Sequence, residues 1–134
     1  MIKVETLGML DVAKINPVIK SEDDVANYSF LTVDNDLYLI SNTITGDDSY
    51  KEDVVIPAGE YLNGYLVKAW EGQKLVVDAK HIDEDISSLT VGTVLVVGED
   101  GILVSGSAAG VHFVVTDTKV NLTEQAVKVK VVVA

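Results

Sequence analysis

Two histidines, a few acidic clusters and one serine–glycine run are the places where this chain of 134 residues could hold reactive groups. His81 stands in Lys80-His81-Ile82-Asp83, at the head of the cluster Asp83-Glu84-Asp85. An imidazole beside carboxylates could serve as a general base or a metal ligand, but either role needs further nitrogen ligands or a shaped cleft. The second imidazole, His112, is distant in sequence and alternates within Val111-His112-Phe113-Val114. That pattern makes His112 the outward residue of a strand, and the polar neighbours of His81 predict a loop-surface side chain. The run Ser105-Gly106-Ser107-Ala108-Ala109-Gly110 resembles a nucleophile turn only in composition. It lacks the Gly-x-Ser-x-Gly order, and a strand follows where a helix is required. Neither Gly98-x-x-Gly101 nor Gly106-x-x-x-Gly110 opens a helix, so no phosphate-cradling loop is predicted.

Asp34-Asn35-Asp36, Asp47-Asp48 and Asp83-Glu84-Asp85 offer oxygen ligands that a calcium ion would accept. None has the register of an EF-hand loop, and solvated turn residues account for them. No catalytic residue, cofactor or metal site is therefore expected. The aromatics allow two readings: Tyr50, Tyr61, Tyr65 and Trp70 are close in sequence, and Tyr and Trp favour interfaces and sugar platforms. Tyr61 and Tyr65 share strand parity, while Trp70 has the opposite parity unless a bulge intervenes. The rings either pack in a core or barrel mouth, or Tyr61, Tyr65 and Trp70 form an exposed recognition surface.

Composition limits the partners. Ten Lys and Arg against 21 Asp and Glu give a net charge of −11, which argues against nucleic acid and anionic lipid as partners. The absence of cysteine excludes disulfides and thiolate chemistry. Neither a signal-peptide h-region in MIKVETLGML nor an apolar run long enough to span a bilayer is present. A soluble protein made in the cytoplasm is expected.

The elements that would position these groups are strands. The 24 Val, 9 Ile and 9 Thr make up nearly a third of the chain, and β-branched side chains suit a pleated surface. In Ala126–Val133 the valines Val127, Val129, Val131 and Val133 alternate with Lys128 and Lys130, the pattern of a half-buried strand. Three hairpins are expected: Tyr28–Val33 with Leu37–Ile40, Tyr65–Trp70 with Lys74–Val77, and Val94–Val97 with Ile102–Val104. Asn63-Gly64 reads as a bulge within a strand rather than a turn. Short helices are expected at Ser21–Asn27, with Ser21 as N-cap, and for one turn at Asp83–Ser88. Val111–Asp117 is a further strand.

The predicted fold is all-β, a compact antiparallel β-barrel or sandwich with short hairpins, one or two short helices and an N-terminal arm. Residues 1–20 form that arm or an edge strand, and residues 21–134 a single β domain. Ile2, Val4, Leu7, Met9, Leu10, Val12 and Ile15 give the terminal segment an apolar surface. It either lies as an edge strand on its own barrel or extends onto a neighbouring subunit by strand addition.

From Ile56 onward the order of motifs resembles the head decoration proteins of tailed bacteriophages. The resemblance rests on Ile56-Pro57-Ala58-Gly59-Glu60, then Val91-Gly92-Thr93-Val94-Leu95-Val96 and the turn Gly98-Glu99-Asp100-Gly101. Gly110-Val111 through Asp117 and the Val-rich last strand complete it. It implies a structural virion protein that stabilises the outer face of a capsid. Its partners would be the major capsid protein and neighbouring copies, often as trimers, with the terminal arm in contact. The first half, Tyr28–Tyr50, is longer than in the shortest members. The alternative is a non-catalytic carbohydrate- or receptor-binding β domain, for example within a fibre, using Tyr61, Tyr65 and Trp70.

Overall fold

A computed structural model describes residues 2–4, 16–42, 55–120 and 125–134, with 2–4 and 16–19 described by backbone alone. The fold is all-β and antiparallel: among the described residues strands predominate and no helix reaches seven residues, and one sheet curls into a half-barrel. The strands are β1 (Ile2–Val4), β2 (Asn16–Lys20), β3 (Val25–Ala26), β4 (Phe30–Val33), β5 (Asp36–Ile40) and β6 (Val55–Ile56). They continue with β7 (Tyr61–Leu66), β8 (Lys74–Asp78), β9 (Val94–Val97), β10 (Leu103–Ser105), β11 (Val111–Asp117) and β12 (Ala126–Val133). A six-stranded sheet runs β1-β8-β12-β11-β9-β10, a four-stranded sheet runs β2-β7-β5-β4, and β3 and β6 form a short ribbon.

Branched side chains from the two larger sheets share one core. Leu39 and Tyr65 of the four-stranded sheet pack with Leu75, Leu95, Phe113 and Val129 of the six-stranded one. The rings of Phe30 and Phe113 meet across the layers with centroids 5.3 Å apart. In β12, Val127, Val129 and Val131 are buried and Lys130 is exposed, as the period-two pattern requires. A smaller core of Ile40, Ile56 and Leu62 lies beneath the β3–β6 ribbon, with Val25 packed against it.

The first hairpin closes as a two-residue turn. Val33 pairs with Asp36, and Asp34 and Asn35 take φ of 51° and 68°, the mirror-image turn whose twist suits a hairpin. The third hairpin forms between β9 and β10, with Gly98 N–H donating to the Ile102 carbonyl. The single turn expected within Asp83–Ser88 is a 3-10 turn at Ile86–Ser88, and Asp85 caps it by accepting from Ser87 N–H.

Three local expectations require correction. Tyr65–Trp70 and Lys74–Val77 are not a hairpin: β7 and β8 lie in different sheets, and Val67–Trp70 coils into a 3-10 turn that buries Val67 and Trp70. Gly72, at φ 82°, donates its N–H to Val131, so Glu71-Gly72-Gln73 is a corner between layers. Ser21–Asn27 is not helical, because its backbone finds partners in a distant segment. Ser21 N–H donates to Glu60, Gly59 N–H donates to Ser21, and Ala58 N–H donates to the Asp24 carboxylate. Tyr28 then turns the chain through a left-handed φ of 61°. Asn63-Gly64 does lie within a strand, but the bulge falls on the partner: Pro17 pairs with Asn63 and Ile19 with Leu62, leaving Val18 as the extra residue.

Candidate functional site

The two imidazoles are built into the fold. His81 ends a 3-10 turn, Ala79–His81, that follows β8 directly, so its ring folds back three residues onto Asp78. Both side chains are buried, with Nδ1 and Oδ1 2.7 Å apart. A carboxylate can only accept, so His81 Nδ1–H donates. Burial pushes the Asp78 carboxyl up, but the hydrogen bond from His81, with neighbouring positive charge, outweighs it and holds Asp78 well below the usual carboxylate range. His81 is therefore a buried structural partner and not the loop-surface residue its polar neighbours predict.

His112 also departs from expectation. It is buried in β11, where it pairs with Val132, and its Nδ1 lies 3.0 Å from the Gly110 carbonyl. Carbonyl oxygen only accepts, so this nitrogen too carries a proton. Alternation with buried Phe113 makes His112 look outward, yet both faces of the strand are covered at that point.

The aromatic residues divide. Tyr65 and Trp70 lie in the main core with ring centroids 5.4 Å apart, whereas Tyr61 is 66% exposed. The three rings share no exposed face, because the 3-10 turn after Leu66 swings Trp70 inward onto Tyr65. Tyr50 lies outside the described residues.

The acidic clusters serve local structure. Asp34 forms the hairpin turn, Asp36 pairs with exposed Lys68 at 2.9 Å, and Asp47-Asp48 falls outside the described residues. The Glu84 carboxylate accepts from both the N–H and the hydroxyl of Ser105, at 2.8 and 2.6 Å. Hydrogen bonds from the hydroxyl and N–H of Ser87 hold the Asp85 carboxyl below its ordinary value. Among the described residues, no group of three or more His, Asp or Glu is placed to hold a metal ion. A shallow groove of about 260 Å³ lies between Asn35 and Leu37 of the first hairpin and Val96 and Val97 of β9; no ionisable side chain lines it.

Of the terminal segment, Ile2–Val4 is the outermost strand of the six-stranded sheet, antiparallel to β8 with Lys3 opposite Val76. Leu7, Met9, Leu10, Val12 and Ile15 lie outside the described residues. Among the described residues, no helix is long and apolar enough to cross a membrane.

Fold and site together define an all-β body with a terminal edge strand, whose two imidazoles and the rings of Phe30, Tyr65, Trp70 and Phe113 are committed to its interior. No protein-family model, curated protein or solved structure matches the chain.

Proposed function

We propose that this chain is a structural virion protein: a head decoration or capsid auxiliary protein that binds the outer surface of a tailed-phage capsid. Its partners in this reading are the major capsid protein and neighbouring copies of itself, and its place is the capsid surface. The observation that carries the reading is β1, a terminal strand at the margin of the six-stranded sheet that pairs only with β8 among the described residues. A strand in that position offers a second row of backbone donors and acceptors to a neighbouring chain. The likeness of residues 56–134 to decoration proteins supplies the identity of the neighbour. Shell binding of this kind requires complementary area and many simultaneous contacts rather than reactive groups. Hydrogen bonding of both imidazoles inside the fold accords with that requirement.

Immunogold labelling of negatively stained phage particles with antibody against this chain tests the reading. Gold on the heads supports it; gold on the tails alone, or unlabelled particles, overturns it. Deleting Met1–Leu10 tests the arm: cosedimentation with heads should fall at least about tenfold, in line with the loss of a multivalent contact. Undiminished binding by the deletion variant removes the arm from the interface.

A further inference from the structure

The turn between β9 and β10 runs Gly98-Glu99-Asp100-Gly101 and contains the only Asp-Gly pair in the chain. Asp-Gly is the aspartyl pair most open to ring closure, because glycine sets no side chain beside its own nitrogen. Asp100 is exposed, and among the described residues no hydrogen bond or ion pair engages its carboxylate. Asp24, Glu84 and Asp85 differ, since each accepts from a backbone N–H. The Gly101 N–H bonds to the Gly98 carbonyl of the same turn at 3.1 Å. Freeing it leaves the Gly98–Ile102 bond and the β9–β10 pairing in place. The only Asn-Gly pair, Asn63-Gly64, is held differently. Asn63 lies within β7, with its N–H bonded to Asn42 Oδ1 and its carbonyl to Ser41 N–H. Gly64 is buried and pairs with Asn16 on one side and Ile40 on the other, so ring closure there would unpair the middle of a sheet.

We propose that Asp100-Gly101 is a site of spontaneous isomerisation to isoaspartate, and that the product loosens the joint between the two large sheets. The Gly101 nitrogen attacks Asp100 Cγ, and the new C–N bond closes a succinimide ring. One carboxyl oxygen leaves as water, taking the amide proton and the carboxyl proton. A second water then opens the ring. Attack at Cγ restores aspartate, whereas attack at the main-chain carbonyl carbon leaves Gly101 joined through Cγ as isoaspartate. Nothing is oxidised or reduced, and the mass returns to its original value. Gly101 has no slack to absorb the change. Its carbonyl accepts from Phe30 N–H at 2.8 Å, and an atom at its Cβ position would lie 2.9 Å from the Phe30 carbonyl oxygen. Isoaspartate adds one carbon to the main chain just before this contact. A turn closed by the Gly98–Ile102 bond takes up that carbon by displacing Gly101 from Phe30.

The test holds the full folded chain and its Asp100→Glu variant at physiological temperature for several weeks, then digests both and maps isoaspartate. Asp100→Glu keeps the charge but requires a larger ring, which closes far more slowly. Amide hydrogen exchange is read on the separated isoaspartate fraction. The parent chain should accumulate isoaspartate at position 100 and not at 63, and Asp100→Glu should accumulate none at 100. In the modified fraction the Phe30 amide should exchange about tenfold faster, the loss of one hydrogen bond, while the Leu75 and Val129 amides keep their protection. Absence of isoaspartate at 100, or as much at 63 as at 100, overturns the site. Unchanged Phe30 exchange overturns the loosened joint. Equal loss of protection at Leu75 and Val129 overturns it too, because the change is then global.

Discussion

A close approach between the two large sheets gives the sharpest prediction. Gly101, in the turn between β9 and β10, has φ of 76°, and its carbonyl accepts from Phe30 N–H at the start of β4 at 2.8 Å. A Cβ added there would lie 2.9 Å from the Phe30 carbonyl oxygen and 3.0 Å from Ser29 Cβ. Gly101→Ala therefore combines three costs. The left-handed backbone costs about 1 kcal/mol for a residue with a Cβ. Forcing backbone apart costs about 1–2 kcal/mol. Loosening the inter-sheet hydrogen bond costs about 1 kcal/mol. The sum is about 3–4 kcal/mol. Gly72→Ala is the matched control, with a similar φ of 82° and nothing within 4 Å of the new Cβ, so it should cost only about 1 kcal/mol. Urea unfolding of both variants, read at the midpoint with equal m-values, should place Gly101→Ala about 2–3 kcal/mol below Gly72→Ala. Equal losses would refute the argument, since the close approach alone separates the two sites.

Two further outcomes follow from the buried groups. The folded-state pKa of Asp78 is depressed below its ordinary value of 3.8, so its stabilising contribution is complete above that value and is lost as pH falls through the lower folded value. Asp78→Asn should lack this acid-side decline in denaturation curves and should cost about 1–3 kcal/mol at pH 7, by replacing a charge-assisted buried hydrogen bond with a neutral one; a parallel pH profile in the variant would reject the assignment. Trp70→Ala should cost about 3–5 kcal/mol, whereas Tyr61→Ala should stay within about 0.5 kcal/mol in thermal melts. Comparable losses would contradict the sorting of the rings into core and surface.

Much of the local structure was legible in the residue pattern. The Val/Lys alternation of β12, the Asp34-Asn35 turn and the short helical turn within Asp83–Ser88 are governed by side-chain period, turn geometry and short-range hydrogen bonding. These act over a few residues, so neighbours in sequence suffice to predict them. The misreadings share a different cause. Glu71-Gly72-Gln73 signals a bend correctly, but whether the flanking segments pair depends on which sheet each one joins. The acidic run after Ser21 carries helix-start chemistry, yet Glu60, Gly59 and Ala58 supply competing partners from a distant segment.

By itself, then, the order of residues determined an antiparallel all-β chain, its last strand and two of its hairpins. Only the tertiary structure decided that both imidazoles are buried, that Tyr65 and Trp70 are core while Tyr61 is exposed, and that Gly101 closes onto Phe30 of the other sheet. Burial and interlayer contact are set by what lies across the sheet or beyond its margin, and such neighbours are far apart in the chain. A period of two assigns a side chain to a face, whereas the packing of layers determines whether that face meets water.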